Sequence, residues 1–546
     1  MKQILLLACG LLMSFSAQAQ SFENAKDAVK NMGVGWNLGN TLDANDASKT
    51  WTTTEQHETC WGQPVTKPEL MKMMKEAGFG AIRVPVTWYQ EMDKDGKVNE
   101  AWMNRVKEVV DYVLDNGMYC ILNVHHDTGA DSKTFKSWLK ASSKSYTANK
   151  EKYEYLWKQI AEKFKDYDEK LLFEAYNEML DENSTWNEPS NKTDGYKAIN
   201  SYAKSFVTTV RNTGGNNEKR NLIVNTYSAS STPNAMQNLD KPEDSNHIIF
   251  QIHSYPNWKS KSNAKTEIDN LISNIKSKLI DRAPVIIGEY ATFTTWPSEI
   301  DYYATDKPVA LYAMDYLIKE TKKAGIGTCY WMGMSDGSYR DLPAFHQADL
   351  TQTLIKAYYG SIDGYKYPTI QDFDIKYTIN YEGTWSEAFL YGASTQLKLS
   401  DYKGVRVELD SDSYVDKLQV KLYGKSDGKE AYIPVTGAVT TVNFSDSQEK
   451  TGDAISRITL QTTIGAQTAK LLKATLIKAD DSEQACDVSV FWGCTITTEA
   501  TPKPTGIHAI KYVKSEDDGA IYNLQGQRVD NPKKGIFIKA GKKVVF

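Results

Sequence analysis

Cysteine is scarce in this chain, and what there is does not pair. Six cysteines occur in 546 residues. Setting aside Cys9 near the N-terminus leaves Cys60, Cys120, Cys329, Cys486 and Cys494, an odd set without paired spacing. Neither a disulfide framework nor a zinc site is built that way. Cys120 and Cys329 lie in strand-like apolar runs and read as buried fillers, while Cys486 and Cys494 are the two that an oxidising exterior would allow to bridge. Charge of one sign is missing too: the net charge is −5, with acids and bases interspersed. Without a basic stripe to track phosphates, nucleic acid is a poor partner. No apolar run is long enough to span a bilayer. Gly33 and Gly35 are followed by Trp-Asn-Leu-Gly, which is not the glycine-rich phosphate loop of an open doubly wound sheet. His125-His126-Asp127 raises metal binding, but no second ligand cluster with metal spacing follows. Neither a metal nor a cofactor is expected.

What is present falls into distinct textures. Lys2, the apolar stretch from Ile4 to Phe15 and the small residues Ala17-Gln18-Ala19 have the form of a secretory signal over residues 1–19. Leu6-Leu7-Ala8-Cys9 also has the form of a lipobox, with a very short apolar core before the cysteine. The chain is too long for one hydrophobic core. Over residues 20–365 strand-like and helix-like segments alternate. The strand candidates are 34–40, 81–86, 119–127, 171–178, 221–227, 247–255, 284–290 and 327–334, with helical stretches such as Lys67–Ala77, Glu100–Asn116 and Pro308–Ala324 between them. Eight such repeats predict an α/β fold, the (β/α)8 TIM barrel. After Tyr367 the helical period stops. Short alternating runs separated by turn residues predict an all-β, jelly-roll-like sandwich over 369–500. A Pro-rich linker (501–505) and a short β-rich tail (506–546) follow.

The polar residues sit where a barrel keeps its chemistry, at the C-terminal ends of the strand candidates. LLFEAYNE runs into Asn177 and Glu178, and PVIIGEY into Glu289. Arg83 lies near the end of the second strand, His125, His126 and Asp127 at the third, His253 and Tyr255 at the sixth, and Trp331 on the eighth. Two carboxyl groups brought together at a strand-end rim are the equipment for cutting a glycosidic bond, one protonating the leaving oxygen and the other attacking or activating water. Each piece alone is ordinary; the weight lies in all of them occurring in order on successive strands.

GWNLGNTLDA (35–44), GFGAIRVPVTW (78–88), LNVHHD (122–127), FEAYNEM (173–179), IHSY (252–255), IIGEY (286–290) and YWMGM (330–334) together resemble glycoside hydrolase family 5. The pattern is most similar to its bacterial endo-β-1,4-glucanases and their xyloglucan-cleaving relatives. The resemblance implies a retaining enzyme with Glu178 as general acid/base and Glu289 as nucleophile. It further implies that Arg83 and Tyr255 donate to Glu289, that His253 orients Glu178, and that Asn177 bonds the sugar 2-hydroxyl. His125, with His126 behind it, would bind a hydroxyl, and Trp331 would floor the subsite. Trp36, Trp61, Trp258 and Trp296, within or just after strand ends, are candidate aromatic platforms further along a β-glucan cleft. A β-mannanase or xylanase, or a non-catalytic glycan-binding protein on the same scaffold, are the alternatives.

The sandwich resembles accessory carbohydrate-binding modules, with Trp385, Tyr391, Tyr402, Tyr414 and Trp492 as stacking candidates; a purely structural module is the rival. The tail, with IYNLQGQRV and KKGIFIKAGKKVVF, resembles bacterial C-terminal sorting signals and implies a secretion-machinery partner and a secreted or cell-surface location. A plain terminal hairpin is the alternative there.

Overall fold

Side-chain parity along eight short strands builds the larger of the two cores. β1 (Val34–Asn37), β2 (Ala81–Val84), β3 (Tyr119–Asn123), β4 (Leu171–Glu174), β5 (Leu222–Asn225), β6 (Ile248–Ser254), β7 (Val285–Tyr290) and β8 (Gly327–Tyr330) pair in chain order, and β8 returns to β1 to close a parallel barrel. The computed structural model describes residues 22–256, 258–291, 307–392, 396–411, 413, 417–425, 428–503, 521–522, 529, 536–539 and 542–545. Alternate residues of a strand face opposite ways. Ala81, Tyr119, Ile121, Leu172, Ile223, Ile249, Ile286 and Cys329 therefore fill the lumen, where Ala25, Ala28 and Val29 of the helix Ala25–Asn31 plug the lower end. Their neighbours Trp36, Ile82, Cys120, Leu122, Phe173, Val224 and Phe250 point outward into the core shared with the surrounding helices.

Those helices are amphipathic and well stopped. Pro68–Ala77 starts on a proline, whose missing N–H costs nothing there, and ends on Gly78 at φ 106°, a left-handed cap that favours glycine. Glu100–Asp115 is capped by Asn99 and buries Trp102, Val106, Val109, Val110 and Val113 on one face. Pro233–Gln237 after β5 is a single turn and a half, too short to leave a helical signature in the sequence.

The inward positions change character at the upper end. Asn37, Arg83, Asn123, Glu174 and Asn225 continue the lumen-facing parity at or next to the last residue of their strands, and all are completely buried. β7 departs from simple alternation. Ile252 pairs with Ile287 but His253 pairs with Glu289, so Gly288 is the extra residue of a bulge. A bulge re-aims the side chain that follows it, and this one turns Glu289 to the lumen side. A Cβ at the bulge would lie 2.4 Å from the Gln251 carboxamide carbon, so any larger residue would have to displace that buried side chain. Asn37 Nδ2 donates to the Gly288 carbonyl over 2.9 Å and holds the bulge in place.

Residues 373–502 form two antiparallel sheets facing each other across a second core of Ile379, Leu390, Val405, Val420, Leu460 and Leu471. One contains β9 (Phe373–Tyr381), β12 (Tyr402–Leu409), β15 (Val439–Asn443), β17 (Gln467–Lys478), β18 (Glu483–Ala485) and β20 (Cys494–Pro502). The other contains β10 (Glu387–Tyr391), β11 (Leu397–Lys398), β13 (Leu418–Gly424), β14 (Glu430–Pro434), β16 (Ala454–Thr462) and β19 (Ser489–Trp492). Leu342 and Ala344, from the barrel's last loop, enter this core, and Tyr339 donates to Asp487 over 2.8 Å. Cys486 and Cys494 are free buried thiols rather than a bridge, and the Cys494 thiol donates to the Glu387 carbonyl at 3.2 Å. Three further strands, Ile521–Tyr522, Ile536–Lys539 and Lys542–Val545, make a small antiparallel sheet. The leader expected at 1–19 lies outside the described residues, among which no helix is long and apolar enough to cross a membrane.

Candidate active site

Arg83 organises the upper end of the barrel. Its guanidinium carries five N–H groups, and all five are used. Nε and Nη2 clasp Glu174 at 2.6 and 2.8 Å; Nη1 donates to Glu289 Oε1 at 2.6 Å and to Asn37 Oδ1 at 2.9 Å; Nη2 donates to Asn177 Oδ1 at 2.8 Å. Burial opposes the charge of Arg83, but Glu174 and Glu289 outweigh it and hold the group more firmly protonated than a free guanidinium. Glu174 is the converse: burial would raise its pKa, yet the Arg83 charge and hydrogen bonds bring it below the usual carboxylate value. Asn123 and Asn225 complete it, donating to Oε1 at 3.2 and 3.1 Å.

Glu178 lies four residues beyond the end of β4, on the cleft wall, and Glu289 rises from the β7 bulge. One oxygen of each lies within 4.8 Å of the other. His253 stands between them, its Nδ1 at 2.8 Å from Glu178 Oε1 and 3.5 Å from Glu289 Oε2. Tyr255 donates to the same Glu289 Oε2 at 2.7 Å. The environments of these groups differ. Desolvation pushes the Glu178 carboxyl up to about 7, so it holds its proton near neutrality. It also brings His253 down to about 4, leaving the imidazole neutral.

The tautomer of His125 follows from its neighbour. Asn123 Oδ1 accepts the Val86 N–H at 3.1 Å, so Asn123 Nδ2 is the atom facing His125 Nδ1 at 3.0 Å. His125 Nδ1 is then an acceptor and Nε2 carries the hydrogen, 4.0 Å from Glu289 Oε1. Burial keeps this ring uncharged, with its pKa well below the ordinary value. Trp331 lies parallel to it, interplanar angle 2° and centroids 5.8 Å apart. Asn177, with Oδ1 committed to Arg83, has its amide nitrogen left for the cleft it lines.

A cleft of about 720 Å³ runs over these groups, and Trp61, His126, Phe135 and Trp186 extend its walls. Trp61 is fixed by donating to the Asn45 carbonyl at 2.8 Å and packs near His126. His126 Nε2 faces Asp43 Oδ2 at 3.7 Å. Asp127 turns away from the histidine pair, bonding the Trp88 N–H and the Trp138 indole, so it fixes the loop rather than joining a ligand set.

Two candidate platforms are corrected. Trp36 is fully buried on the outward face of β1, donating to the Gly333 carbonyl at 2.9 Å, because strand parity sends it to the helices while Asn37 faces the lumen. Trp258 is also enclosed in the main core, at 1% exposure. Trp296 lies outside the described residues. In their place stands Trp186, 49% exposed on the loop after β4. That loop is folded by Asp181, which accepts the backbone N–H groups of Asn183, Thr185 and Ser190. The sequence reading also passed over Glu174, Asn37, Asn123 and Asn225, although each is a polar residue interrupting an apolar run.

Comparison with known proteins agrees with this arrangement. The family model described as cellulase (glycosyl hydrolase family 5) matches residues 43–337. Endoglucanase A of Clostridium longisporum is 34% identical over 332 residues, 58% of this chain, which spans 60% of that relative's length. Endoglucanase A of Ruminococcus albus is 34% identical over 324 residues, 56% of this chain and 83% of the relative. Among solved structures, a broad-specificity endoglucanase from an uncultured bacterium is 56% identical at a TM-score of 0.61, covering 62% of this chain and 97% of that one. A family 5 enzyme of Prevotella bryantii, solved as a mutant with a bound xyloglucan tetradecasaccharide, is 43% identical at a TM-score of 0.58, over 62% and 99% of the two chains. With a barrel of this kind and a family match across more than half its length, the chain belongs to the cellulase family, glycosyl hydrolase family 5.

Proposed function

We propose that this protein is a retaining endo-β-1,4-glucanase that hydrolyses internal bonds of β-glucans, xyloglucan among them, by double displacement. The observation that carries the mechanism is the approach of Glu178 and Glu289, with oxygens within 4.8 Å. Inverting enzymes hold their carboxyl groups roughly 6.5–9.5 Å apart to admit a water, whereas retaining ones need about 5–5.5 Å. At this separation attack on the anomeric carbon is direct.

The roles follow from the surroundings. Glu178, still protonated near neutral pH, donates to the leaving glycosidic oxygen. Glu289, held at both oxygens by Arg83 and Tyr255, is aimed as the nucleophile. Forming the glycosyl ester removes the Glu289 charge. Glu178, now ionised, takes a proton from the incoming water in the second step. The Asn177 amide is placed to bond the sugar 2-hydroxyl, an interaction that strengthens as the ring gains positive charge. The His125 Nε2–H serves a neighbouring hydroxyl, and Trp331 gives the ring an apolar floor.

Two features support an endo-acting enzyme of branched and unbranched glucans. The cleft that holds the two carboxylates is lined by Trp61 and Trp186 as well as Trp331, and the related Prevotella bryantii enzyme was solved with a bound xyloglucan oligosaccharide. The test is a panel of carboxymethylcellulose, mixed-linkage glucan, xyloglucan, mannan and xylan, read by viscosity and reducing ends, with proton NMR of the first-formed anomer. A rapid viscosity drop on the glucans with initial β-anomer is expected. Initial α-anomer would refute retention, and a preference for mannan or xylan would move the substrate assignment. The likeness of residues 1–19 to a secretory signal and of the tail to a sorting signal supports a secreted or cell-surface location, so deleting residues 506–546 should abolish release; unchanged export would leave the tail without that role.

A further inference from the structure

A second built site lies in the sandwich, on the outer face of the sheet that carries β10, β13, β14, β16 and β19. Trp492, Glu387, Gln461 and Gln419 stand in one cross-strand row, and Lys421 and Tyr432 pair in a neighbouring one. Together with Trp385 they line a groove of about 560 Å³. An outer sheet face is ordinarily solvated, yet its polar floor is enclosed: Glu387 is 6%, Gln461 4% and Lys421 9% exposed. The floor is fully cross-braced. Gln461 donates to Glu387 Oε1 at 2.7 Å, and Tyr423 and Thr459 both donate to Oε2 at 2.7 Å. Lys421 lies 3.6 Å from Glu387 and 3.3 Å from Glu430.

The rim is the opposite, large and apolar. Trp385 is 54%, Trp492 58% and Tyr432 49% exposed. Trp385 also adopts φ 72°, a left-handed conformation that a bulky side chain rarely takes and a glycine would take without strain. Strain of this kind, kept at an exposed position, is a mark of a working site. The main chain that carries both tryptophans is tied to its neighbours. The Trp385 N–H donates to Thr462, and the Glu382 N–H donates to Gly493, the residue after Trp492. A Cβ at Gly493 would come within 2.6 Å of the Ser386 hydroxyl, so the two turns are locked together.

We propose that this groove is a second glycan site, binding a neutral β-glucan chain with the sugar faces on Trp385 and Trp492 and the hydroxyls over Glu387, Gln419, Gln461 and Lys421. Aromatic walls over a few fixed polar groups are the composition of a carbohydrate-sized pocket. The one cation of the floor faces two carboxylates, so no uncompensated positive charge is offered to an anionic ligand. The choice of β-glucan rests on the activity read from the barrel. Of the stacking candidates named from the sequence, Trp385 and Trp492 line this groove, whereas Tyr391 and Tyr402 pack partly against the sandwich core and Tyr414 lies outside the described residues.

The test uses the full chain in a Glu178→Gln, Trp61→Ala, Trp331→Ala background, so that the ligand is neither cut nor gripped by the barrel cleft, run in native gels containing mixed-linkage β-glucan. Adding Trp385→Ala and Trp492→Ala together should weaken retardation at least tenfold, and Gln419→Ala, which leaves the rim intact, should weaken it less. In the wild-type background the same tryptophan pair should leave kcat/KM on cellotetraose unchanged, since neither residue lines the cleft. Retardation unaltered by the double substitution would overturn the site, whether the groove is idle or takes a protein segment. Should the barrel cut no glucan while retardation still depends on the two tryptophans, the activity reading fails and the groove stands.

Discussion

Arg83 and Glu174 form a bidentate pair at 2.6 and 2.8 Å, with both side chains completely buried beneath the cleft. Removing one partner of such a pair leaves the other charged and unsolvated, at a cost of about 3–5 kcal/mol. Glu289 remains as a counter-ion for Arg83, so Glu174→Ala belongs at the lower end, ~3 kcal/mol by denaturant unfolding. Because Arg83 also aims Glu289 and Asn177, kcat should fall even though Glu174 does not line the cleft. Full activity in this variant would show that the Arg83 network is structural only.

The Glu178 carboxyl, pushed up to about 7 by burial, makes both activity and stability fall as pH rises, over different pH ranges. As the acid it must be protonated, so kcat/KM should decline tenfold per pH unit above about 7. For stability, the folded state holds a proton that the unfolded chain, at an ordinary value near 4.5, releases earlier. Stability is therefore full below pH 4.5 and is lost as pH rises toward 7, by up to ~3 kcal/mol. Glu178→Gln should abolish most activity yet be more stable than the wild type at pH 8 by about 2 kcal/mol, with little difference at pH 4.5. Equal stabilities at pH 8 would mean that Glu178 is solvated and its proton is not held by burial.

How much of this is legible in the sequence depends on which signal a residue leaves. Glu178, Glu289, His253 and Tyr255 follow apolar runs, and that position alone marked the strand ends around the cleft. The eight strand candidates overlap the eight barrel strands for the same reason. Glu174 and the asparagines at 37, 123 and 225 sit inside the runs, one residue out of step with their apolar neighbours, where a buried strand looks uniformly apolar. Parity would have found them, and it would have sent Trp36 to the helices. The bulge at Gly288 breaks that parity and depends on Gln251, 37 residues earlier, which no local pattern encodes. In the sandwich, the run 488–497 reads as one strand but is split by Gly493 at φ 62° into β19 and β20, which join different sheets.

Exposure separates the tryptophans into two groups with different expected phenotypes. Trp331 and Trp61 line the cleft, so their alanine variants should raise KM, more for long substrates than short ones in the case of Trp61. Trp36 and Trp258 are enclosed in the core, and truncating either should cost about 3–5 kcal/mol of stability. Enzyme that stays folded after that loss should keep its KM. A selective KM effect at Trp36 without destabilisation would contradict its placement.

Gly39 provides a way to move the platform without touching it. A Cβ there would lie 2.9 Å from the outer ring atoms of Trp331 and 3.2 Å from Met332 Cβ. Contacts that short force something to shift. Gly39 is not in the left-handed region, so alanine meets no backbone penalty of its own and the effect is steric. Met332 has little freedom to retreat, since it and Met334 already carry positive φ values of 30° and 76°. The indole must therefore tilt away from its parallel alignment with His125, and the sugar floor tilts with it. Gly39→Ala should raise KM several-fold on β-glucan oligosaccharides, with a smaller change in kcat and a stability loss of about 1–3 kcal/mol from overpacking. A changed tryptophan emission should accompany the rise. Unchanged KM alongside that spectral change would show that the Trp331 face is not where substrate rests.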